Sequence, residues 1–149
     1  MKVFLLFLLI TLSFVYNYNP DEAIKYARKY CLDYNPNYPS YKNIGADCAN
    51  FVSQCLIAGG FSFDGCQNVK YGVITGCTSL LNCLKKKGWK DYTEKPPGFR
   101  GGYPMIRLDK GHAVMATEVS GSTIKYAGHT QDCCDRTLKY GVYYMMPPN

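Results

Sequence analysis

Apolar residues in the first half of the chain recur every three or four positions. Ala23, Ile24, Ala27, Tyr30 and Cys31 share one helical face. Asn19 stands ready to cap, Pro20 suits the first helical position, and Glu22 lies three residues beyond the cap, so a capping-box helix is expected as far as about Leu32. The prolines and asparagines of Asn35-Pro36-Asn37-Tyr38-Pro39-Ser40 exclude regular structure there. A second helix is expected from near Asp47 to the stop at Gly59-Gly60. Its inward residues are Phe51, Val52, Cys55 and Leu56, with Cys48 at the azimuth of Cys55. A third runs from about Thr78 to Lys87, with Leu80, Leu81 and Leu84 inward and Gly88 just past its end. Trp89 to Gly102, broken by Pro96-Pro97-Gly98 and Gly101-Gly102, reads as an exposed loop.

From Tyr103 onward the period changes to two. Tyr103–Leu108, His112–Val119, Thr123–Ala127 and Leu138–Met145 read as strands, the first three separated by Asp109-Lys110-Gly111 and Ser120-Gly121-Ser122 turns. Helices followed by a meander predict an α+β domain, with N-terminal helices packed on a C-terminal antiparallel sheet.

The beginning of the chain has a different pattern. Lys2 precedes an almost wholly apolar run from Val3 to Ile10, which continues less strictly to Val15. That is signal-peptide length, too short to span a bilayer comfortably. The expectation is a signal over residues 1–17 and a single domain over 18–149; a buried N-terminal helix is the competing reading. Secretion, or delivery to a lytic or endosomal compartment, follows, with no membrane association once the signal is removed.

Eight cysteines in 149 residues fit an oxidising compartment. If one of them is a nucleophile the remaining seven cannot all pair, so at least one more is free or intermolecular. The rival arrangement pairs all eight. The formal net charge of +6 favours polyanionic surfaces such as bacterial walls without specifying one. No basic run interleaved with aromatics points to nucleic acid, and Lys85-Lys86-Lys87 reads as a solvated helix end. The 14 tyrosines fit either a carbohydrate-stacking surface or ordinary packing.

The candidate chemistry centres on Cys48. A thiol in the first turn of a helix lies at the positive end of the macrodipole, beside unpaired N–H groups, and that setting favours the thiolate. Thiolate catalysis also needs a base and a group to orient it. The chain holds two histidines, both in the strand region. His112 opens one strand and serves as base; His129 ends the next and serves as orienter. The Cys48 backbone N–H and a nearby donor would form the oxyanion hole, with Asp47 as the helix cap. Asn50, Gln54 and Trp89 are candidate substrate-binding residues, a structural role being equally open to Asn50 and Gln54. No cofactor is expected, and no metal: the chain lacks H-x-x-x-H and C-x-x-C, and a zinc site from Cys133, Cys134 and His129 would need an adjacent cysteine pair to chelate one ion.

Several segments resemble the putative amidase-domain family of secreted, NlpC-like cysteine hydrolases. They are Tyr18-Asn19-Pro20 through Tyr30, then Tyr34-Asn35-Pro36-Asn37-Tyr38-Pro39, and the run Asp47-Cys48-Ala49-Asn50-Phe51-Val52-Ser53-Gln54. Gly111-His112-Ala113-Val114 resembles the family's base strand, and Ala127-Gly128-His129-Thr130-Gln131-Asp132 its "HTxD" segment. The resemblance implies a papain-like, NlpC-like fold with Cys48 as nucleophile, His112 as base and His129 as third member. It implies hydrolysis of an amide bond in a peptide or peptidoglycan-like substrate. Gly102-Tyr103-Pro104-Met105-Ile106 departs from the Gly-Asp-hydrophobic lead of the family's base strand, and the extra cysteines imply a disulfide-stapled version, with a bridge at Cys133 or Cys134 fixing the loop after His129. Two other readings compete: a non-catalytic, disulfide-stapled binding module for wall glycan or a protein partner, and an effector acting on an isopeptide or ester bond.

Overall fold

The computed structural model describes residues 17–149. The signal expected over residues 1–17 therefore falls, but for its last residue, outside the described residues. Helix α1 spans Pro20–Tyr30. Asn19 caps it as expected, its Oδ1 accepting from the backbone N–H of Asp21 and Glu22 at 3.0 and 3.3 Å. The reciprocal half of the capping box does not form. Glu22 pairs instead with Lys25 at 2.6 Å, and the Asn19 N–H donates to Gly59 O at 2.7 Å, tying the start of α1 to the end of the next helix.

That helix, α2, spans Cys48–Ala58 and is buried at every position from Cys48 to Leu56. One inward face was expected; the helix is enclosed all round, packed by α1, the sheet and a small hairpin of β1 (Val69–Lys70) and β2 (Val73–Ile74). The polar Ser53 is satisfied in this setting: its Oγ donates to Ile74 O at 2.9 Å and accepts from Ile74 N at 3.2 Å. Helix α3 spans Cys77–Lys86, buries Leu80, Leu81 and Leu84, and stops at Gly88, whose φ of +89° is the left-handed turn that glycine allows.

Six antiparallel strands form the main sheet. They are β3 (Lys90–Tyr92), β4 (Pro104–Arg107), β5 (His112–Ser120), β6 (Thr123–Gly128), β7 (Cys133–Thr137) and β8 (Tyr143–Met146), in the order β3-β8-β4-β5-β6-β7. The expected meander is present from β4 to β6, and β7, a strand that was not expected, extends it to give a mixed α+β architecture. Two expectations fail. Trp89–Gly102 is not an exposed loop, because Lys90–Tyr92 pairs with β8 while Trp89 and Phe99 are buried on either side. The single strand over Leu138–Met145 is strand only from Tyr143: β7 ends at Thr137, and residues 138–142 pass over the sheet before β8 inserts between β3 and β4.

That crossing creates a second core. The helices cover one face, where Phe51, Leu56, Leu80, Leu84, Ile106 and Met115 meet. On the other face Met105, Val114, Ala116, Ile124 and Tyr126 are covered by Phe99, Leu138, Tyr140 and Val142. Residues of β5 alternate between the two cores, as the pleat requires. Disulfides join Cys31 to Cys134 and Cys66 to Cys83, leaving Cys48, Cys55, Cys77 and Cys133 as free thiols. All-paired cysteines are thereby excluded. Cys134 forms the bridge that was expected beyond His129, and Cys133 turns into the second core. Among the described residues, no helix is long and apolar enough to cross a membrane.

Candidate active site

Cys48 is the first residue of α2, and its sulfur reaches over the end of the sheet. Sγ lies 3.7 Å from Gly111 O, the residue before β5, and 3.7 Å from Cys77 Sγ at the first position of α3. His112 opens β5 on the pleat side of Val114 and Ala116, and its ring hydrogen-bonds to the Cys48 sulfur. The fold thus brings Cys48 and His112 to one cleft.

Electrostatics favours charge on Cys48. The Cys77 thiol contributes most, donating a hydrogen bond to the sulfur. Burial opposes ionisation, but His112 and the Ala113 backbone add further hydrogen bonds, and together they hold the Cys48 thiol well below its ordinary range. The same contact, reinforced by burial, pushes the Cys77 thiol up. The pair therefore behaves as one thiolate and one thiol sharing a proton, with the charge on Cys48.

The other expected members have different places. Asp47 occupies the cap position of α2, but its carboxylate bonds to no helix N–H. It accepts instead from Tyr41 N at 2.8 Å, from Asn50 Nδ2 at 2.9 Å and from His129 Nδ1 at 2.5 Å. Burial alone would raise the Asp47 carboxyl; the hydrogen bonds from His129, Asn50 and Tyr41 overcome it and hold the group below the usual carboxylate range. His129 is 2% exposed, sandwiched between Tyr34 and Phe51 with ring centroids 4.2 Å from each, and its Nε2 meets Tyr30 O at 2.7 Å. Both ring nitrogens are engaged, so His129 has none to offer His112. The expected orienter is a structural pin between α1, α2 and β6.

Asn50 and Gln54 belong to the same buried network rather than to a substrate surface. Asn35 Nδ2 donates to Tyr26 Oη at 3.0 Å, Tyr26 donates to Gln54 Oε1 at 2.6 Å, and Gln54 Nε2 donates to Asn50 Oδ1 at 3.1 Å. Asn50 Nδ2 then donates to Asp47 and to Pro39 O. Every donor in this chain points toward the Asp47 carboxylate, so the hydrogen bonds reinforce one another. Trp89, the third candidate, is 2% exposed among Tyr18, Phe61 and Tyr103, within the core under the helices.

A cleft of about 370 Å³ opens over Cys48 and His112. Arg107, Lys110 and Arg136 line it with Tyr126, Tyr140, Thr130 and Gln131, and no carboxylate does. Arg107 is held by a two-point ion pair with Asp109, at 2.9 and 3.1 Å, and stacks over Tyr140. Thr130 is fixed at φ +79°, a left-handed conformation rare for a β-branched residue. These wall residues escaped sequence reading because they come from four separate segments. Cys77 did carry a signal: like Cys48, it follows a helix-start residue, Gly76. Among the described residues, no cluster of three or more metal-ligating side chains occurs.

Asp47 leaves the first N–H groups of α2 uncapped, since Phe51 N is the first to find an intrahelical partner, Asp47 O at 2.9 Å. Those donors stand beside the Cys48 sulfur, where an oxyanion would form.

Comparison with known proteins bears on this arrangement. The family profile described as a putative amidase domain matches residues 17–99, a span that contains Asp47, Cys48, Asn50 and Gln54 but ends before His112 and His129. Two curated relatives, both from Bacillus subtilis (strain 168), are similar over about a third of the chain. Uncharacterized protein YjcM is 50% identical over 52 residues, covering 35% of this chain and 12% of its own length. Uncharacterized protein YhbB is 42% identical over 53 residues, covering 36% of this chain and 16% of its own. The chain thus spans a small part of each. No solved structure matches it significantly.

Proposed function

The chain belongs to the putative amidase domain family, and from that membership we propose that it is a cysteine hydrolase cleaving an amide bond with Cys48 as nucleophile and His112 as general base. One observation carries the reading: a thiol held toward its anionic form, at an uncapped helix start, against a histidine in an open cleft. The Cys48 thiolate attacks the amide carbonyl carbon, and the oxyanion takes hydrogen bonds from the first N–H groups of α2. His112 gives its proton to the departing amine nitrogen, leaving a thioester on Cys48. It then removes a proton from water, whose attack releases the carboxylic acid and restores the thiolate.

A helix-borne nucleophile and a strand-borne base support a papain-like, NlpC-like arrangement. The cationic lining supports substrates carrying carboxylates near the scissile amide, and peptidoglycan stem peptides are such substrates. Secretion, or delivery to a lytic compartment, is part of the proposal, and the two disulfides support it. A binding module would have no use for a reactive thiol at this site; the unbridged Cys48 supports the enzyme.

Digestion of purified peptidoglycan, followed by mass spectrometry of the fragments, tests the proposal. Wild-type protein is expected to release peptides with new amine and carboxyl ends, and Cys48→Ala to release none above background. Equal release by the variant would overturn the mechanism.

A further inference from the structure

Of the four free thiols, two stand together. Cys55 is fully buried inside the helical core and Cys133 faces the second core, whereas Cys48 and Cys77 place their sulfurs 3.7 Å apart at the edge of the cleft. We propose that Cys48 and Cys77 form a reversible dithiol–disulfide couple, a redox modification site that takes the nucleophile out of use when the medium is oxidising.

The ground on both sides is fixed. The start of α2 is held by Asp47 through His129, and α3 is bonded through Cys83 to Cys66. A disulfide is about 2.0 Å long, so closure moves the sulfurs by roughly 1.7 Å, a side-chain displacement. The two existing disulfides place the folded chain where such bonds persist, and a thiol pair this close meets the same conditions.

The co-reactant is a low-molecular-weight disulfide. The Cys48 thiolate attacks one of its sulfurs, forming a mixed disulfide and expelling one thiolate. Cys77 loses its proton to that thiolate and attacks the Cys48 sulfur of the mixed disulfide, expelling the second. Two protein thiols are oxidised to one disulfide, and one small disulfide is reduced to two thiols. Oxidised glutathione fits this role, since its carboxylates suit Lys110 and Arg136 in the cleft wall.

The test uses the full chain with both structural disulfides intact, treated with oxidised glutathione, alkylated with iodoacetamide and mapped without reduction. The expected product is lighter by two hydrogen atoms, contains a Cys48–Cys77 linked peptide and has lost Cys48 alkylation, which dithiothreitol restores. Cys77→Ser is expected to stop at a glutathione adduct on Cys48. A wild-type protein that keeps the adduct, or that leaves both thiols open to alkylation, would overturn the couple. If the variant does not fold, the wild-type map decides alone. Because the readout counts sulfur bonds and not turnover, it is separate from the fate of the hydrolase reading.

Discussion

Asp47 Oδ2 and His129 Nδ1 stand 2.5 Å apart in the interior, joining the residue before Cys48 to the end of the strand that follows β5. The pair lies 82 positions apart in sequence and is almost wholly enclosed, at 1% and 2% side-chain exposure. A buried pair of this kind adds little by existing, yet removing one partner strands the other. Its place beside Cys48 makes it the support of the α2 start, on which the proposed nucleophile is mounted.

Asp47→Asn is expected to destabilise the fold by about 3 kcal/mol, because His129 then faces a neutral amide in a dry site. The pH dependence follows from the depressed Asp47 carboxyl. Its contribution is complete above the unfolded carboxylate pKa of about 3.9 and is lost as pH falls through the lower folded value. Urea unfolding as a function of pH should show this acid loss in wild type and a flatter profile in the variant; identical profiles would refute the assignment.

Gln54→Ala separates support from substrate contact. It leaves the Tyr26 O–H without its acceptor and Asn50 Oδ1 without its donor, and should cost about 1–3 kcal/mol in stability. KM, measured at a temperature where the variant stays folded, should not change. A raised KM with unaltered stability would return Gln54 to the substrate surface.

The alkylation rate of Cys48 with iodoacetamide should report an apparent pKa well below the free-thiol value of about 8.5. Cys77→Ala should raise that apparent pKa more than His112→Ala, since the thiol is the larger cause. His112→Ala should instead lower kcat on order of 10²–10⁴-fold, through loss of the base. Stopped alkylation series across pH distinguish the two effects.

Arg136→Gln and Lys110→Gln should each raise KM for a carboxylate-bearing peptide by up to about fivefold, the scale of an exposed ion pair, and leave kcat nearly unchanged. The effect should fade with added salt. Steady-state kinetics on a peptide and its amidated counterpart provides the check: equal KM changes on both would show that charge is not what these residues read.

The helices were legible because each carries its own punctuation: Asn19-Pro20 opens α1, Gly59-Gly60 closes α2, and Gly88 closes α3. Cys48 and His112 were legible for the related reason that each opens an element. What escaped was whatever another segment decides. Lys90-Asp91-Tyr92 is too short to show a period, and only β8 makes it a strand. His129 was expected to orient His112, and nothing local in its sequence points instead to Asp47. The Asp47 carboxylate reads as a cap because caps are local; the tertiary fold claims it for His129 instead.

The bridge from Cys31 to Cys134 spans 103 residues. At a synthesis rate of about 5–20 residues per second, the first of these thiols waits roughly 5–20 s for its partner to be made. During that interval Cys48, Cys55, Cys66, Cys77, Cys83 and Cys133 are all produced, each a wrong partner for Cys31. Ribosomal order therefore favours the Cys66–Cys83 bond before the longer bridge. Correct pairing then rests on the folded sheet selecting Cys134, and the cleft cannot assemble until β5 has followed α2 from the ribosome.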